Sequence, residues 1–346
     1  MKQSQPNSLA TIGTALGLGL SLALSACGGG SGGGGGLTGS LNGAGASFPA
    51  SIYQRWFQDL ASEGINVNYQ SVGSGAGVRQ FVAGTIDFGA SDAPMKDKDI
   101  AKVERGVIQV PMTAGAIAVA YNLPGCDLKL SQEQVVGVFL GKIKNYKDLG
   151  CADKPITIVH RSDGSGTTYN FTNSLAAFSD EWKNGPGAAK SVAWPTGVGA
   201  KGNEGIAATL KQTPGGIGYV ETAYVQGELQ AAAVQNKTGE MLKPTNETAS
   251  AALGSIDIGP DLVGSDPNPA AGYPIVTFTW ILLYKSGNGD KTALLQKVFE
   301  HTLSAKAQSL APELGYVSLP PEVVTRAKEA VASIGNAFAP VERSGT

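Results

Sequence analysis

Three times in the first half of the chain, a strand-like stretch runs into a short loop of glycines and hydroxyls and then into a helical pattern. The stretches are NGAGASFPA from Asn42, VGSGAGV from Val72 and RSDGSGTTY from Arg161. Strand patterns alternating with helical ones predict an α/β architecture. Each loop also sets small residues and a hydroxyl at the start of a helix. The first N–H groups there have no intrahelical acceptor and carry partial positive charge, which suits an anion. Glycine lets a ligand approach the backbone closely. One such loop alone reads as ordinary capping by Ser. Three in one chain, the third beginning with Arg161, point to an oxyanion site.

The remaining patterns agree with alternation. A chain of 346 residues exceeds what one compact core usually holds, so two lobes are expected. In PASIYQRWFQDLASEG, Ile52, Trp56 and Leu60 share one helical face with Tyr53 and Phe57 beside them. Pro49 stands near the first turn of that helix and Gly64 past its end. INVNYQSV and TIDFGAS read as strands, with GAGVRQFVAG as a short helix between them. GAIAVAYNL, Gly115 to Leu123, is an apolar strand long enough to cross between lobes, and YPIVTFTWILLYK, Tyr273 to Lys285, is another. SQEQVVGVFLG is a helix with Ser131 as its cap. ITIVHR is a strand, GTTYNFTNSLAAF a helix, and GIGYVETAYV a buried strand running into a turn. TALLQKVFEHTLS and PPEVVTRAKEAVASI are closing helices. Residues 226–272 are polar and rich in Gly, Pro and Asn, and give no clear period.

The N-terminal region reads as targeting rather than fold. Lys2 precedes the apolar run from Leu9 to Ala26, which ends in Leu24-Ser25-Ala26-Cys27, a lipobox-like pattern. A plain transmembrane anchor is the competing reading; the small residues directly before Cys27 favour processing. Residues 1–26 are therefore expected to be a signal peptide and Cys27 a lipidated residue at the membrane surface. GGGSGGGGG, Gly28 to Gly36, then forms a flexible tether with a reach of roughly 15–18 Å. Such a leader implies an extracytoplasmic, oxidising compartment. Of three cysteines, Cys126 and Cys151 remain, either as a disulfide or as two buried thiols. The net charge of −2 gives no basic field for nucleic acid, so an anionic ligand has to be held by local arrangement.

Several chemistries fail on residue type. Ser165 lies in DGSGT, not in the GxSxG of a nucleophile elbow. The chain has two histidines, His160 and His301, and no carboxylate cluster at metal-ligand spacing, so neither a base nor a metal site is expected. GVGAKG, Gly197 to Gly202, matches GxGxxG, but Trp194-Pro195-Thr196 precedes it where a clean apolar strand should end. It reads as a glycine-rich loop, and no cofactor is implied. Asp92, in GASDAP, is either a turn aspartate before Pro94 or a functional acid. In the second reading it accepts the proton that phosphate retains near neutral pH and that sulfate lacks, so it would repel a fully ionised isostere.

GAGASFPA, VNYQSVGSGAGVRQ, DFGASDAP, RSDGSGTTYNFT, WPTGVGAKGNEGIA and PGGIGYVE occur in this order. Together they resemble the phosphate-binding proteins of bacterial phosphate ABC transporters. The resemblance runs from about Gly43 to the final helices, densely over 43–225 and loosely over 226–272. It implies a two-lobed periplasmic-binding-protein fold of type II, with two crossover hinge strands and phosphate in the cleft between lobes. Lobe I would comprise 37–116 plus 277–346, and lobe II 117–276. The family's site positions fall on Ser47, Phe48, Ser74, Asp92, Arg161, Ser165, Gly166 and Thr167, with Asp163 orienting Arg161. Ser47 stands where the family commonly has Thr, which keeps the hydroxyl. Gly75-Ala76 replaces a more usual Ser-Gly, which removes a possible second hydroxyl from that loop. The resemblance further implies a monomer that is not an enzyme and that delivers inorganic phosphate to a permease and ATPase complex. The alternatives are a secreted phosphate-ester hydrolase and a surface phosphate sensor or adhesion module.

Overall fold

The computed structural model describes residues 37–335; the expected signal peptide, Cys27 and the glycine tether lie outside them. Strand β1 (Gly39–Gly45) leads into helix α1 (Ala50–Ala61), β2 (Ile65–Ser71) into α2 (Ser74–Val82), and β3 (Phe88–Ser91) into the single turn α3 (Asp97–Ile100). The long β4 (Val107–Tyr121) is followed by β5 (Lys129–Leu130), α4 (Gln132–Phe139), β6 (Thr157–Arg161) and α5 (Gly166–Phe178). Next come α6 (Asp180–Asn184), β7 (Val198–Ala200), α7 (Gly202–Lys211) and β8 (Gly216–Glu221). The stretch without a clear period in sequence holds β9 (Gln230–Ala231), β10 (Ala233–Gln235), β11 (Met241–Leu242) and α8 (Asn246–Leu253). The chain closes with β12 (Val276–Tyr284), α9 (Thr292–Thr302), α10 (Ala305–Ser309) and α11 (Pro321–Ala332).

The strands lie in the order β2-β1-β3-β12-β4-β8-β6-β7, with β9 also paired to β4. β1 is parallel to β2 and β3, and β6 is parallel to β7 and β8. β12 runs antiparallel to both β3 and β4. β4 changes partner midway: it pairs with β12 through Ala116 and with β8 from Ile117. One strand thus serves both halves of this mixed, two-lobed α/β fold. β5, β10 and β11 form a small separate sheet.

The sequence pattern starts the crossover strand at Gly115, whereas the strand begins at Val107. Pro111 hides the first half, because a proline donates no ladder hydrogen bond and argues against a central strand. The structure accommodates it with a bulge. Thr279 pairs with Thr113 and Trp280 with Pro111, so Met112 is the extra residue.

Burial explains the helices. α1 places Ile52, Tyr53, Trp56, Phe57 and Leu60 in the core, and Trp56 Nε1 donates to the Ala307 carbonyl at 2.8 Å. Each large side chain so buried contributes roughly 1.5–3 kcal/mol. On the other half, Ile206 and Leu210 of α7 pack with Val159 and Val220. α4 starts at a capping box formed by Ser131 and Gln134. Cys126 and Cys151 form a disulfide, with Cα atoms 5.6 Å apart, that closes the segment carrying β5 and α4.

Candidate anion-binding site

The loop from β1 to α1 is clamped through its carbonyls. Those of Ala46, Ser47 and Phe48 accept hydroxyl protons from Tyr69, Tyr224 and Tyr316 at 2.6, 2.7 and 2.8 Å. A trans peptide points its N–H away from its carbonyl. Fixing the Ala46 and Ser47 carbonyls therefore aims the N–H groups of Ser47 and Phe48 the opposite way. The Phe48 ring itself is buried beside Gly115, where a Cβ would stand 3.1 Å from it.

The second loop brings Ser74 to Asp92. Gly73 precedes α2 at φ 86°, where a Cβ would stand 2.2 Å from Asp163 Oδ2, so only glycine fits. No side chain caps α2. Ser74 Oγ accepts the Asp92 N–H at 3.2 Å and lies 3.3 Å from Asp92 Oδ2, to which it donates. Thr279, on β12 opposite the β4 bulge, donates to Asp92 Oδ1 at 2.8 Å. The Asp92 carbonyl is held by Asn170 Nδ2 at 2.6 Å and by the Thr277 hydroxyl at 3.2 Å. Burial pushes the Asp92 carboxyl up to about 6, against the opposing pull of Thr279, Arg161, Ser74 and Lys190. Lys190 Nζ lies 3.3 Å from Ser91 Oγ; burial pushes this amine down to about 8, although Asp92 works the other way.

The third loop supplies the cation. Arg161 ends β6 and is 4 % exposed. Its Nε and Nη2 donate to the two oxygens of Asp163 at 2.7 and 2.6 Å, a bidentate pair that fixes the guanidinium plane. Burial alone would raise the Asp163 carboxyl; the hydrogen bonds and charge of Arg161 outweigh it and hold the group below its usual range. Nη1 is 3.4 Å from Thr167 Oγ1. Ser165 caps α5 by accepting the Thr168 N–H at 2.9 Å, so the capping role is real, and its own proton remains to be donated. At Gly166 a Cβ would meet Ser74 Oγ at 2.6 Å and Asp92 Oδ2 at 2.8 Å. Glycine there lets the first turn of α5 reach Ser74 and Asp92. Gly75 N donates to the Gly164 carbonyl at 2.7 Å and joins the second loop to the third.

The structure thus brings Ser47, Phe48, Ser74, Asp92, Arg161, Asp163, Ser165, Gly166 and Thr167 together. Asn203 is the member that sequence reasoning missed. Its backbone N and its Nδ2 each donate to Ser47 Oγ at 3.0 Å, and Nδ2 also donates to Thr167 Oγ1 at 3.1 Å. It directly follows the glycine-rich GVGAKG stretch, which is not only a loop: it holds β7, a short edge strand parallel to β6, and opens α7. An Asn directly after those glycines was the available signal. Thr279 was also missed, although a hydroxyl inside the apolar run TFTWILL marks a buried polar contact. Glu221 is fully buried. Its Oε2 accepts the Ala223 N–H, whereas Oε1 has no donor, because the one proton of neighbouring Tyr316 goes to the Phe48 carbonyl. Burial raises this carboxyl well above the usual range.

Among the described residues no hydrogen bond joins Ser165 to a histidine or a carboxylate, and His160 instead stacks on Trp194. No group of three or more His, Cys, Asp or Glu that could hold a metal occurs among the described residues. No helix among them is long and apolar enough to cross a membrane. What converges is a set of helix-start N–H groups and hydroxyls, one guanidinium and one carboxylate.

The fold and this constellation define a two-lobed solute-binding protein with an anion site between its halves. A profile of the PBP superfamily domain matches residues 30–306. The phosphate-binding protein PstS of Pasteurella multocida is 41 % identical over 307 residues, covering 83 % of this chain and 88 % of that protein. PstS of Methanocaldococcus jannaschii is 35 % identical over 338 residues, covering 84 % of this chain and 85 % of that one. The chain belongs to the PstS phosphate-binding protein family. In fold it is similar to the periplasmic phosphate-binding protein PfluDING, solved with phosphate, at TM-score 0.75 and 22 % identity over 87 % of this chain and 100 % of that one. It is likewise similar to a human phosphate binding apolipoprotein, at TM-score 0.73 and 22 % identity over 86 % and 97 % of the two chains.

Proposed function

We propose that this chain captures inorganic phosphate in the cleft between its halves and delivers it to an ABC permease and ATPase complex, without chemistry of its own. The observation that carries the reading is one buried carboxylate, Asp92, set among donors that otherwise suit any oxyanion. A desolvated anion is costly to bury unless it is fully hydrogen-bonded, and these groups supply donors on several sides. A single acceptor among them selects an anion that still carries a proton. Ser47, Phe48, Ser74, Arg161, Ser165, Gly166 and Thr167 donate; Asp163 braces Arg161. Residues 37–116 plus 277–346 act as one lobe and 117–276 as the other, with hinges in β4 near 115–121 and in β12 near 275–282.

The protein works as an extracytoplasmic monomer, held at the membrane by lipid on Cys27 and spaced from it by the glycine tether. Cys27→Ala is expected to move it from the membrane fraction to the soluble fraction. Calorimetric titration with phosphate, sulfate and arsenate tests the main reading. Phosphate and arsenate should compete for one site, and sulfate should bind far more weakly. Equal binding of sulfate would overturn it, and steady turnover of a chromogenic phosphomonoester would favour the hydrolase instead.

A further inference from the structure

We infer that Asn203 is a specificity-determining positioning residue, which forces the Ser47 and Thr167 hydroxyls to act only as donors toward the bound anion. The inference rests on the phosphate-binding reading above and deepens it.

The amide orientation is fixed by its far side. Asn203 Oδ1 accepts the N–H of Glu221 at 2.9 Å, and an N–H can face only the oxygen of an amide. Nδ2 must therefore face Ser47 and Thr167. Asn203 is fully buried and second in α7, so its side chain has no room to turn.

A hydroxyl has one proton and two acceptor positions. Ser47 Oγ accepts from both Asn203 N and Asn203 Nδ2, at 3.0 Å each. Thr167 Oγ1 accepts from Asn203 Nδ2 at 3.1 Å and from Arg161 Nη1 at 3.4 Å. Both oxygens have their acceptor positions filled from behind, and each has only a proton left to offer. A freely rotating serine could turn a lone pair toward a ligand proton; these two cannot. Acceptance at these two positions is thereby closed, and Asp92 supplies the charged acceptor. The same amide ties Ser47 from the loop after β1 to Thr167 at the head of α5, so it also fixes the spacing of the two donors. Asn203 touches no ligand in this scheme and acts through the hydroxyls.

The test is a double-mutant cycle read by calorimetry with inorganic phosphate, with a melting temperature for every variant. Asn203→Ala is expected to weaken binding about 10-fold or more in the wild-type background, as two donors lose their orientation. In a Ser47→Ala/Thr167→Val background the same change should cost less than about 2-fold, because the groups it acts through are gone. An equal loss in both backgrounds, or none in either, overturns the inference. Asn203→Asp provides a second measurement if the alanine variant does not fold. It keeps the acceptor for Glu221 N–H and puts a second acceptor where the donor stood. Its affinity should fall at least ~100-fold at about pH 8 and recover on acidification as the introduced carboxyl takes up a proton, unlike wild type. A pH profile parallel to wild type would overturn the inference. Failure of the wild-type protein to bind phosphate would instead remove the parent reading, and this inference with it.

Discussion

Replacing Asp92 with asparagine changes one atom and inverts the logic of the site. The carboxylate already accepts from Thr279 at 2.8 Å and from Ser74 at 3.3 Å, which leaves lone pairs for a ligand proton. A hydrogen bond to a charged acceptor contributes ~1.5–3 kcal/mol, so losing it should weaken phosphate roughly 10- to 100-fold. Sulfate has no proton to share. It meets the Asp92 charge directly, and two unit charges about 4 Å apart at an effective dielectric near 20 repel by ~4 kcal/mol. Neutralising Asp92 removes that repulsion while it takes a bond from phosphate. Both changes narrow the same ratio, so the preference for phosphate over sulfate should shrink at least ~100-fold. Titrating both anions into wild type and Asp92→Asn at about pH 8 measures the ratio directly, with both ligands fully in the forms considered. An unchanged ratio would show that Asp92 does not sort anions by their proton, even if both affinities moved.

The same substitution has a second consequence, without ligand. Because burial lifts the Asp92 carboxyl to about 6, its protonated form is the stabilising one: that stability is present below the ordinary carboxylate range and lost as pH rises through about 6. The difference is on the order of 3 kcal/mol, so Asp92→Asn should raise the melting temperature of ligand-free protein at about pH 8 and leave it nearly unchanged at about pH 4. Arg161→Ala should weaken phosphate by at least ~2 kcal/mol, since it deletes the charge partner and leaves Asp163 as a partly buried carboxylate without its cation; calorimetry showing no change would place the site elsewhere. Reducing the Cys126–Cys151 bond, which spans 25 residues, should cost about 3 kcal/mol of stability in denaturant melts while phosphate affinity at low denaturant stays close to wild type.

The groups proposed to face the ligand were legible because each carries a local signature. A hydroxyl among glycines at a strand-to-helix turn identifies Ser47, Ser74 and Ser165, and Arg161 with Asp163 two residues on can be seen as a pair. The groups that hold them were not. Tyr69, Tyr224 and Tyr316 clamp the first loop across 23, 177 and 268 residues of sequence, and each by itself looks like a core aromatic. Their function comes from the hydroxyl alone, and nothing local distinguishes a hydroxyl that finds a carbonyl from one that does not. Fold boundaries failed for a related reason. β1 is glycine-rich, so the period of its side chains is faint; Pro111 masked half of β4; and β9, β10 and β11 are too short to show a period at all.

What those long-range bonds share is direction. Asn203 to Ser47, Tyr224 to Ser47, Gly75 to Gly164, Lys190 to Ser91 and Asn170 to Asp92 all join residues 47–92 to residues 164–224. Several bonds that aim a donor from one half therefore depend on a group from the other. The two stretches sit on opposite sides of the point where β4 exchanges β12 for β8. Separating them would release the Ser47 hydroxyl from Asn203, free the Ser47 carbonyl from Tyr224 and hydrate Asp92, so the donor set would lose its orientation along with its dryness. On the proposed reading such a site holds its anion only when assembled, and taking it apart is sufficient to let the anion go. Capture and release then need no change in any ligand-facing residue, only a change in whether Asn203 and Tyr224 can reach Ser47.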